Sequence, residues 1–237
     1  MVLSAVILAA GRGARLAPLT DRVPKCLLPV DGRAILDRQL DALAHAGVTE
    51  ITIVTGHAAD AVDAHVAGWP GVRTVRNPGY STTDNLASCR AARDHFGGDA
   101  TALLNGDTLF EDEILADLLA AEPVPVLIAI DRKPHYDADD MKITTNDTNR
   151  LRRIGKEVAM PDGEAIGLTL LQGAGRARFL HQVEACLAAP RGAHALYTEA
   201  LGALAAQDLV GVRAVHARRW IEIDTVQDLA AAEALWR

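Results

Sequence analysis

Apolar residues in the first half of the chain form short strand-like runs, and between them apolar positions recur at helical spacing. The strand-like runs are 2–9, 51–54, 72–75 and 100–104, and the helix-like segments are 35–44, 58–66, 86–96 and 113–120. Gly47 stands where the first of these helices should end. This alternation, with short joins, predicts a mostly parallel sheet that is covered by helices on both faces.

The pattern changes after residue 123, because several strands follow one another without a long helix between them. Strands are predicted at 126–130, 141–145, 151–154, 166–171 and 210–215, and helices at 179–187, 197–206 and 227–235. We therefore predict an α/β protein, a Rossmann-like three-layer sandwich with a mostly parallel mixed sheet and a small antiparallel extension. Without a linker or a repeat, residues 1–237 are expected to form a single domain.

Composition and charge narrow the class of protein. A hydrophobic content of 49% and a net charge of −7 are ordinary for a globular protein, and acidic chains rarely bind nucleic acid. We expect no membrane partner, because no apolar run approaches the ~20 residues of a membrane span. The first strand begins almost at Met1, so no targeting segment is expected. Three widely spaced cysteines, Cys26, Cys89 and Cys186, fit free thiols in the cytoplasm.

The most informative stretch joins the first strand to a glycine-containing loop. Gly11 and Gly13 allow backbone N–H groups to approach an oxyanion, while Arg12, Arg15 and Lys25 add fixed positive charge. A dinucleotide fingerprint would need a third glycine at 16, and a P-loop would need Gly-Lys-Ser/Thr around Lys25; the chain has neither. We interpret the loop as one that binds a nucleoside triphosphate.

The patterns L-A-A-G-x-G-x-R-L and P-K-x-L-x-P-V, from Leu8 to Val30, resemble the signature of nucleotidyltransferases that make nucleotide-diphospho-sugars and CDP-alcohols. In that family the loop holds the triphosphate and the lysine contacts its phosphates. The resemblance implies catalytic roles for Arg15, Lys25 and Lys156. It implies a nucleotide site formed by Leu8, Ala9, Ala10, Gly11, Gly13, Lys25, Tyr80, Asn85, Ser88 and Asp107.

Three carboxylates fall where the family binds a metal ion. Asp107 follows a strand in a G-D segment. A further strand is predicted at 220–225, and its alternate residues Glu222 and Asp224 lie on one side of it. Mg²⁺ prefers carboxylate and phosphate oxygens, so one to three acids and a triphosphate suffice to bind it. The resemblance leaves open whether Glu222 or Asp224 is the ligand. The alternative is structural: Asp107 caps a helix and Glu222 is a solvated strand residue.

The polar loop at 77–88 is the candidate base site. Its N-x-x-S pattern, Asn85 to Ser88, resembles the CTP-dependent branch of the family more than the sugar branch, so CTP is the favoured nucleotide. A helix cap at Asp84 or Asn85 explains the same residues equally well.

The acceptor substrate is expected to bind residues 123–237, while 1–122 bind the nucleotide. Lys156 falls where the sugar branch carries a lysine that holds the acceptor phosphate, and Lys142 is a second cation; a solvated surface lysine remains the alternative for either. The acid-rich segment beside Tyr136 suits a cationic ligand. The candidate acceptor-binding residues are Tyr136, Asp139, Lys142, Lys156, Glu164 and Tyr197.

We therefore predict a Mg²⁺-dependent cytidylyltransferase that joins CTP to phosphocholine, an aminoalkylphosphonate or a polyol phosphate and releases pyrophosphate. A sugar-1-phosphate nucleotidyltransferase that uses UTP, dTTP or GTP is the alternative. A non-catalytic nucleotide-binding regulator is a more remote alternative. Such proteins tend to lose the lysine or the acids, whereas this chain keeps them. A homodimer is left open.

Overall fold

The computed structural model describes residues 2–237 as a central sheet between two layers of helices. The helices are α1 (Ile35–His45), α2 (Ala59–Val66), α3 (Asn85–Ala91), α4 (Asp112–Leu119), α5 (Ala174–Leu187), α6 (Tyr197–Ala205) and α7 (Val226–Leu235). The strands are β1 (Leu3–Ala9), β2 (Pro29–Val30), β3 (Arg33–Ala34), β4 (Glu50–Thr55), β5 (Val72–Arg76), β6 (Ala100–Asn105), β7 (Thr108–Phe110), β8 (Val126–Asp131), β9 (Lys142–Thr145), β10 (Leu151–Ile154), β11 (Gly163–Gln172), β12 (Val210–Ala214) and β13 (Trp220–Glu222).

The main sheet has the order β10-β9-β11-β6-β1-β4-β5, and β8 joins β11 to β12. Strands β6, β1, β4 and β5 are parallel, as are β8 and β12, whereas β11 is antiparallel to β6, β8 and β9. The predicted mixed α/β sheet with an antiparallel extension is confirmed. Because β6 pairs with β11, the sheet is continuous between the first and second halves of the chain.

Alternating side chains of the central strands supply a core on each face of the sheet. Ile7 and Leu104 pack with α1, α2 and α4 on one face, and Val6 and Leu103 pack with α3, α5 and α6 on the other. Most of these positions are fully buried, which explains why the strands read as continuous apolar runs.

A third, smaller core lies beside the sheet and joins segments that are far apart in sequence. Leu16 of the first loop packs there with Leu109 of β7 and with Ile223, which follows β13. This core explains why the first loop, the segment after β6 and the end of the chain come together.

Several predicted elements differ from the structure in their bounds. Strand β11 and helix α5 begin at Gly163 and Ala174, before the predicted starts at 166 and 179. The helix expected over 86–96 is an α-helix only from Asn85 to Ala91, after which a single 3₁₀ turn covers Arg93–His95. The strand expected through Asp224 ends at Glu222, opposite Thr108, the first residue of its short antiparallel partner β7. Among residues 2–237, no helix combines the length and apolar character that crossing a membrane requires.

Candidate active site

The glycine loop after β1 uses its two glycines differently. Gly13 is left-handed (φ 64°, ψ 41°), and its carbonyl accepts hydrogen bonds from Leu16 N–H at 2.9 Å and Thr20 Oγ1 at 2.8 Å. Gly11 does not have a positive φ, and a Cβ built there meets no atom within 4 Å. Gly13 therefore shapes the turn, and Gly11 keeps its surface open.

The turn after β6 is held against the end of β1. Gly106 N–H donates to Leu8 O at 3.0 Å, and a Cβ at Gly106 would lie 2.9 Å from that same oxygen. Only a glycine lets the two strand ends approach so closely. Asp107 is thereby placed beside the glycine loop.

The C-terminal acids are tethered to this turn through the backbone. Glu222 of β13 lies opposite Thr108 of β7, and Ile223 N–H donates to Asp107 O at 3.0 Å. Asp228 in the first turn of α7 then accepts a hydrogen bond from Asp224 N–H at 3.0 Å. These backbone contacts bring Glu222 and Asp224 to the same side as Asp107, although the strand ends before Asp224.

Cations of the first loop meet these carboxylates directly. Lys25 Nζ lies 2.7 Å from Asp107 Oδ2 and also contacts Asp224, and its side chain is only 12% exposed. Arg15 pairs with Asp224 at 2.6 Å and with Asp139 at 3.0 Å. Lys156 lies 3.3 Å from the other oxygen of Asp139. A series of ion pairs thus joins Arg15 and Lys25 to the segment that carries Asp139 and Lys156 and to the C-terminal segment that carries Asp224.

These contacts shift the protonation equilibria. Burial lowers the pKa of Lys25, but Asp107 and Asp224 outweigh it, so the net shift is upward and the ammonium stays charged. Burial raises the pKa of Asp224, but Lys25 and Arg15 outweigh it and hold the pKa below its ordinary value. Desolvation by the cavity walls, together with repulsion from Asp107 and Asp224, raises the pKa of Glu222, whose side chain stays open to solvent.

Two adjoining cavities, of about 450 Å³ and 240 Å³, open over this cluster. Predicted residues that line the larger one are Gly11, Gly13, Arg15, Lys25, Asn85, Asp107, Asp139, Lys156, Tyr197, Glu222 and Asp224. Predicted residues that line the smaller one are Leu8, Ala10, Gly11, Tyr80, Asn85, Ser88, Asp107 and Glu222, and Ala9 lines a small recess beside them. Glycine loop, base-site candidates and acids therefore share one cleft.

The carboxylates Asp107, Glu222 and Asp224 could bind a divalent cation if other ligands completed its coordination. Asp107 Oδ1 is buried and has no hydrogen-bond partner, and Glu222 and Asp224 stand close enough to raise the pKa of Glu222. Within residues 2–237, however, no three side chains of the metal-binding types are grouped tightly enough to hold an ion by themselves. Lys25 instead contacts two of the three carboxylates. Phosphate oxygens would have to complete the coordination.

The smaller cavity presents oriented polar groups. Asn85 Oδ1 accepts Tyr197 N–H at 2.9 Å, which leaves the amide N–H groups of Asn85 as its free donors. Asn77 Nδ2 donates to Ser88 Oγ at 3.1 Å, so the Ser88 hydroxyl can donate elsewhere. No side-chain cap bond is formed at Asp84, and Asn85 is the first helical residue rather than a cap.

Three acceptor-site candidates lie outside the walls of the cavities. Lys142 is buried, and its ammonium donates to the carbonyls of Ala138 and Lys156, at 3.3 and 2.8 Å. Glu164 is buried against Lys133 at 2.8 Å, and Tyr136 accepts Lys133 N–H at 3.2 Å. These side chains hold the segment after β8 onto the sheet. Arg12 of the loop is exposed and also lies outside the cavities.

Sequence reasoning missed several residues of the cleft. Asn105 lines both cavities and its Oδ1 is buried without a partner, while Gly167 (φ +79°) gives it room. Met141 and Thr198 line the larger cavity. A polar residue at the end of an apolar strand, two positions before Asp107, was the available signal for Asn105.

Comparison with known proteins agrees with this geometry. The model of the MobA-like NTP transferase domain matches residues 5–218, nearly the whole chain. The chain belongs to the MobA-like NTP transferase family. As a member of this family it is a nucleotidyltransferase, in agreement with the resemblance of its first loop.

Two of the proteins that are similar to this chain are enzymes named for phosphonates. The chain is 44% identical over 131 residues to CMP-5'-(3-aminopropyl)phosphonate synthase of Streptomyces rubellomurinus, a match that covers 54% of this chain but only 20% of that protein. It is 29% identical over 234 residues to 2-aminoethylphosphonate cytidylyltransferase of Lancefieldella rimae, covering 96% of this chain and 91% of the relative. The CTP:phosphocholine cytidylyltransferase from Streptococcus pneumoniae has the same fold, with a TM-score of 0.82 and 20% identity over the full length of both chains.

Proposed function

We propose that this transferase is a cytidylyltransferase that joins CMP from CTP to a small phosphonate or phosphate and releases pyrophosphate. The observation that carries the proposal is the meeting of Arg15 and Lys25, from the glycine loop, with Asp107 and Asp224 in one cleft. Relatives that use cytidine nucleotides with aminoalkylphosphonates support the same reaction.

The choice of CTP is supported by the donors in the smaller cavity. Cytosine presents two acceptors, O2 and an unprotonated N3, whereas uracil and thymine carry a hydrogen on N3. The free N–H groups of Asn85 and the hydroxyl of Ser88 match the cytosine pattern. In uracil or thymine, the hydrogen on N3 would face a donor if it met the Asn85 amide N–H groups, whereas the Ser88 hydroxyl could accept a hydrogen bond from it.

The balance of charge in the larger cavity supports a cation as cofactor. Its walls carry Asp84, Asp107, Asp139, Glu222 and Asp224 against only Arg15, Lys25 and Lys156. Because both substrates are anions, this excess of carboxylates would repel them unless positive charge accompanies them. We propose that Mg²⁺ is bound by Asp107 together with Glu222 or Asp224, where it would neutralise phosphate charge.

The acceptor substrate is proposed to carry a primary ammonium group. Of the described residues lining the larger cavity, Tyr197 is the single aromatic one, so no ring cage surrounds a quaternary ammonium there. Asp139 offers a carboxylate beside Lys156, a pair suited to an ammonium and a phosphonate at opposite ends of one small molecule. An aminoalkylphosphonate fits better than phosphocholine or a polyol phosphate.

The chain's own residues would then catalyse the transfer by position and charge. An oxygen of the acceptor attacks the α-phosphorus of CTP in line, a new P–O–P bond forms, and the bond to the β-phosphate oxygen breaks. A phosphate monoester has a second pKa of about 6, so such an acceptor is already ionised near neutral pH and needs no general base. Lys25 and Arg15 hold the triphosphate, and Lys156 orients the acceptor.

The test is pyrophosphate release by the purified chain with Mg²⁺, each of the four common nucleoside triphosphates, and a panel of acceptors. The panel contains 2-aminoethylphosphonate, 3-aminopropylphosphonate, phosphocholine, inositol 1-phosphate and glucose 1-phosphate. We expect CTP with an aminoalkylphosphonate to give the highest kcat/KM, and mass spectrometry to find the CMP adduct. Faster turnover of UTP or dTTP with glucose 1-phosphate would overturn the proposal, and so would inactivity with every pair.

A further inference from the structure

Helix α1 carries one polar side chain on its apolar face. Gln39 follows Ile35 by four positions and Leu36 by three, so all three lie on the side that faces the sheet. Gln39 is only 1% exposed, as buried as its apolar neighbours. A buried amide is retained where its hydrogen bonds are needed, so its partners indicate its role.

Gln39 binds both ends of the turn that carries Asp107. Its Nε2 donates to Asn105 O at 2.7 Å and to Thr108 O at 2.8 Å, and these two carbonyls flank Gly106 and Asp107. Both N–H hydrogens of the Gln39 side-chain amide therefore bind carbonyls of one four-residue turn. Gln39 itself lies outside the walls of both cavities.

The two other backbone bonds of this turn run in different directions. Gly106 N–H donates to Leu8 O, toward β1, and Asp107 O accepts Ile223 N–H from the C-terminal segment. Gln39 supplies the third attachment, from the helical layer. Without it, the carbonyls of Asn105 and Thr108 would lose these hydrogen bonds, and we expect the turn to reorient to replace them.

We infer that Gln39 is a positioning residue that fixes the Asn105–Thr108 turn, so that the Asp107 carboxylate faces Lys25 and the bound nucleotide. The inference rests on the proposed function, since it concerns the carboxylate proposed to bind the cation. Removal of a group that orients a metal ligand in this way typically lowers metal affinity or activity by about 10- to 100-fold.

The test compares Gln39→Met, which keeps the volume but has no donors, with Ser4→Ala. Ser4 is also buried, at 2% exposure, and its hydroxyl lies within hydrogen-bond distance of Gly97 O and Thr101 Oγ1 at the opposite end of β1 and β6. Both variants lose a hydrogen bond to a residue of β6, but only Gln39 binds the end of β6 that leads to Asp107. If Gln39→Met does not fold, Gln39→Asn, which is too short to reach both carbonyls, takes its place.

Two measurements are made on the full chain: hydrogen exchange of the Gly106 and Ile223 amides, and the dissociation constant for CTP with Mn²⁺ by calorimetry. In Gln39→Met we expect exchange to accelerate and the dissociation constant to rise by about tenfold or more. In Ser4→Ala both should stay at the wild-type values.

Unchanged exchange at these two amides would overturn the inference, because the turn would then be held without Gln39. Faster exchange with an unchanged dissociation constant would also overturn it, since the role would be structural only. If the wild-type chain itself fails to bind CTP with Mn²⁺, the proposed function fails and the inference falls with it; a defect in the variants alone cannot be confused with that result.

Discussion

The ammonium nitrogen of Lys25 lies 2.7 Å from a carboxylate oxygen of Asp107, although 82 positions separate the two residues. Lys25 belongs to a 3₁₀ turn after the glycine loop, and Asp107 to the turn after β6. Parallel pairing of β1 with β6 brings the carboxyl ends of both strands to one edge of the sheet. The fold therefore fixes an ion pair at the proposed site of the triphosphate and the cation.

The first prediction concerns this pair. Asp107→Asn should lower kcat by roughly a thousandfold, because it removes a proposed ligand of the Mg²⁺ that would neutralise phosphate charge. The melting temperature should change little, since repulsion with Glu222 is relieved. Lys25→Met should also abolish turnover but should cost on the order of 2 kcal/mol of stability, because it leaves Asp107 and Asp224 without their cation. Pyrophosphate release and thermal unfolding measure the two effects.

Glu157→Gln, an exposed change outside the cleft, is the control for both variants. Full activity of Asp107→Asn would remove this aspartate from the reaction. Equal melting temperatures for Asp107→Asn and Lys25→Met would mean that the carboxylates do not repel one another in the folded chain.

The second prediction tests the glycine loop as a phosphate-binding surface. A Cβ at Gly11 meets no atom within 4 Å, but Gly11 lines both cavities, so the added methyl group would occupy space that the phosphates need. Gly11→Ala should keep the melting temperature and raise the KM for CTP by about tenfold, the effect of losing about 1.4 kcal/mol of binding. Gly68→Ala, at an exposed glycine with equally open surroundings, should change neither quantity.

Much of this site was predictable because its residues punctuate strands. Asp107 follows the apolar strand β6, and Lys25 follows the loop at the end of the apolar strand β1. The carboxyl ends of these parallel strands lie at the same edge of the sheet. What the pattern could not predict was which polar side chains are used internally. Lys142 and Lys156 are both isolated lysines in the sequence. In the structure, however, Lys142 donates hydrogen bonds to two backbone carbonyls, whereas Lys156 lines the larger cavity.

Gln39 stands out in the sequence because it is the polar residue on the apolar face of a predicted helix. It interrupts the apolar face of α1, and such a residue is either an error in the helical register or a buried hydrogen-bonding group. Only the three-dimensional structure identifies its partners, because Asn105 and Thr108 lie 66 and 69 positions away.

The third prediction concerns the base. Asn85→Asp keeps an oxygen for Tyr197 N–H but replaces the free amide donors by a negative charge that faces cytosine O2 and N3. We expect kcat/KM for CTP to fall by about 100-fold, as for loss of a strong, specific hydrogen bond, with an unchanged melting temperature. Steady-state kinetics with CTP and UTP checks this. Unaltered preference for CTP would exclude Asn85 from base recognition.

The last prediction concerns the pH dependence of stability through Glu164. Burial raises the pKa of Glu164 from its ordinary 4.5 to about 7, since Lys133 only partly offsets the desolvation and the charge of Asp140 adds to it. Between these two values the folded carboxyl group binds a proton that the unfolded chain releases. This group's contribution therefore falls as the pH rises through that window, and the loss is complete above about pH 7.

Glu164→Gln stays neutral and should lack this loss, so its unfolding free energy relative to the wild type should increase between about pH 5 and pH 8. Urea unfolding at several pH values measures the difference, and taking it relative to the wild type cancels the other carboxylates. Lys133 keeps Asp140 as a partner at 2.8 Å in the variant, so the segment after β8 stays attached. A difference that shrinks as the pH rises would mean that Lys133 stabilises an ionised Glu164, and the assignment of a raised pKa would be wrong.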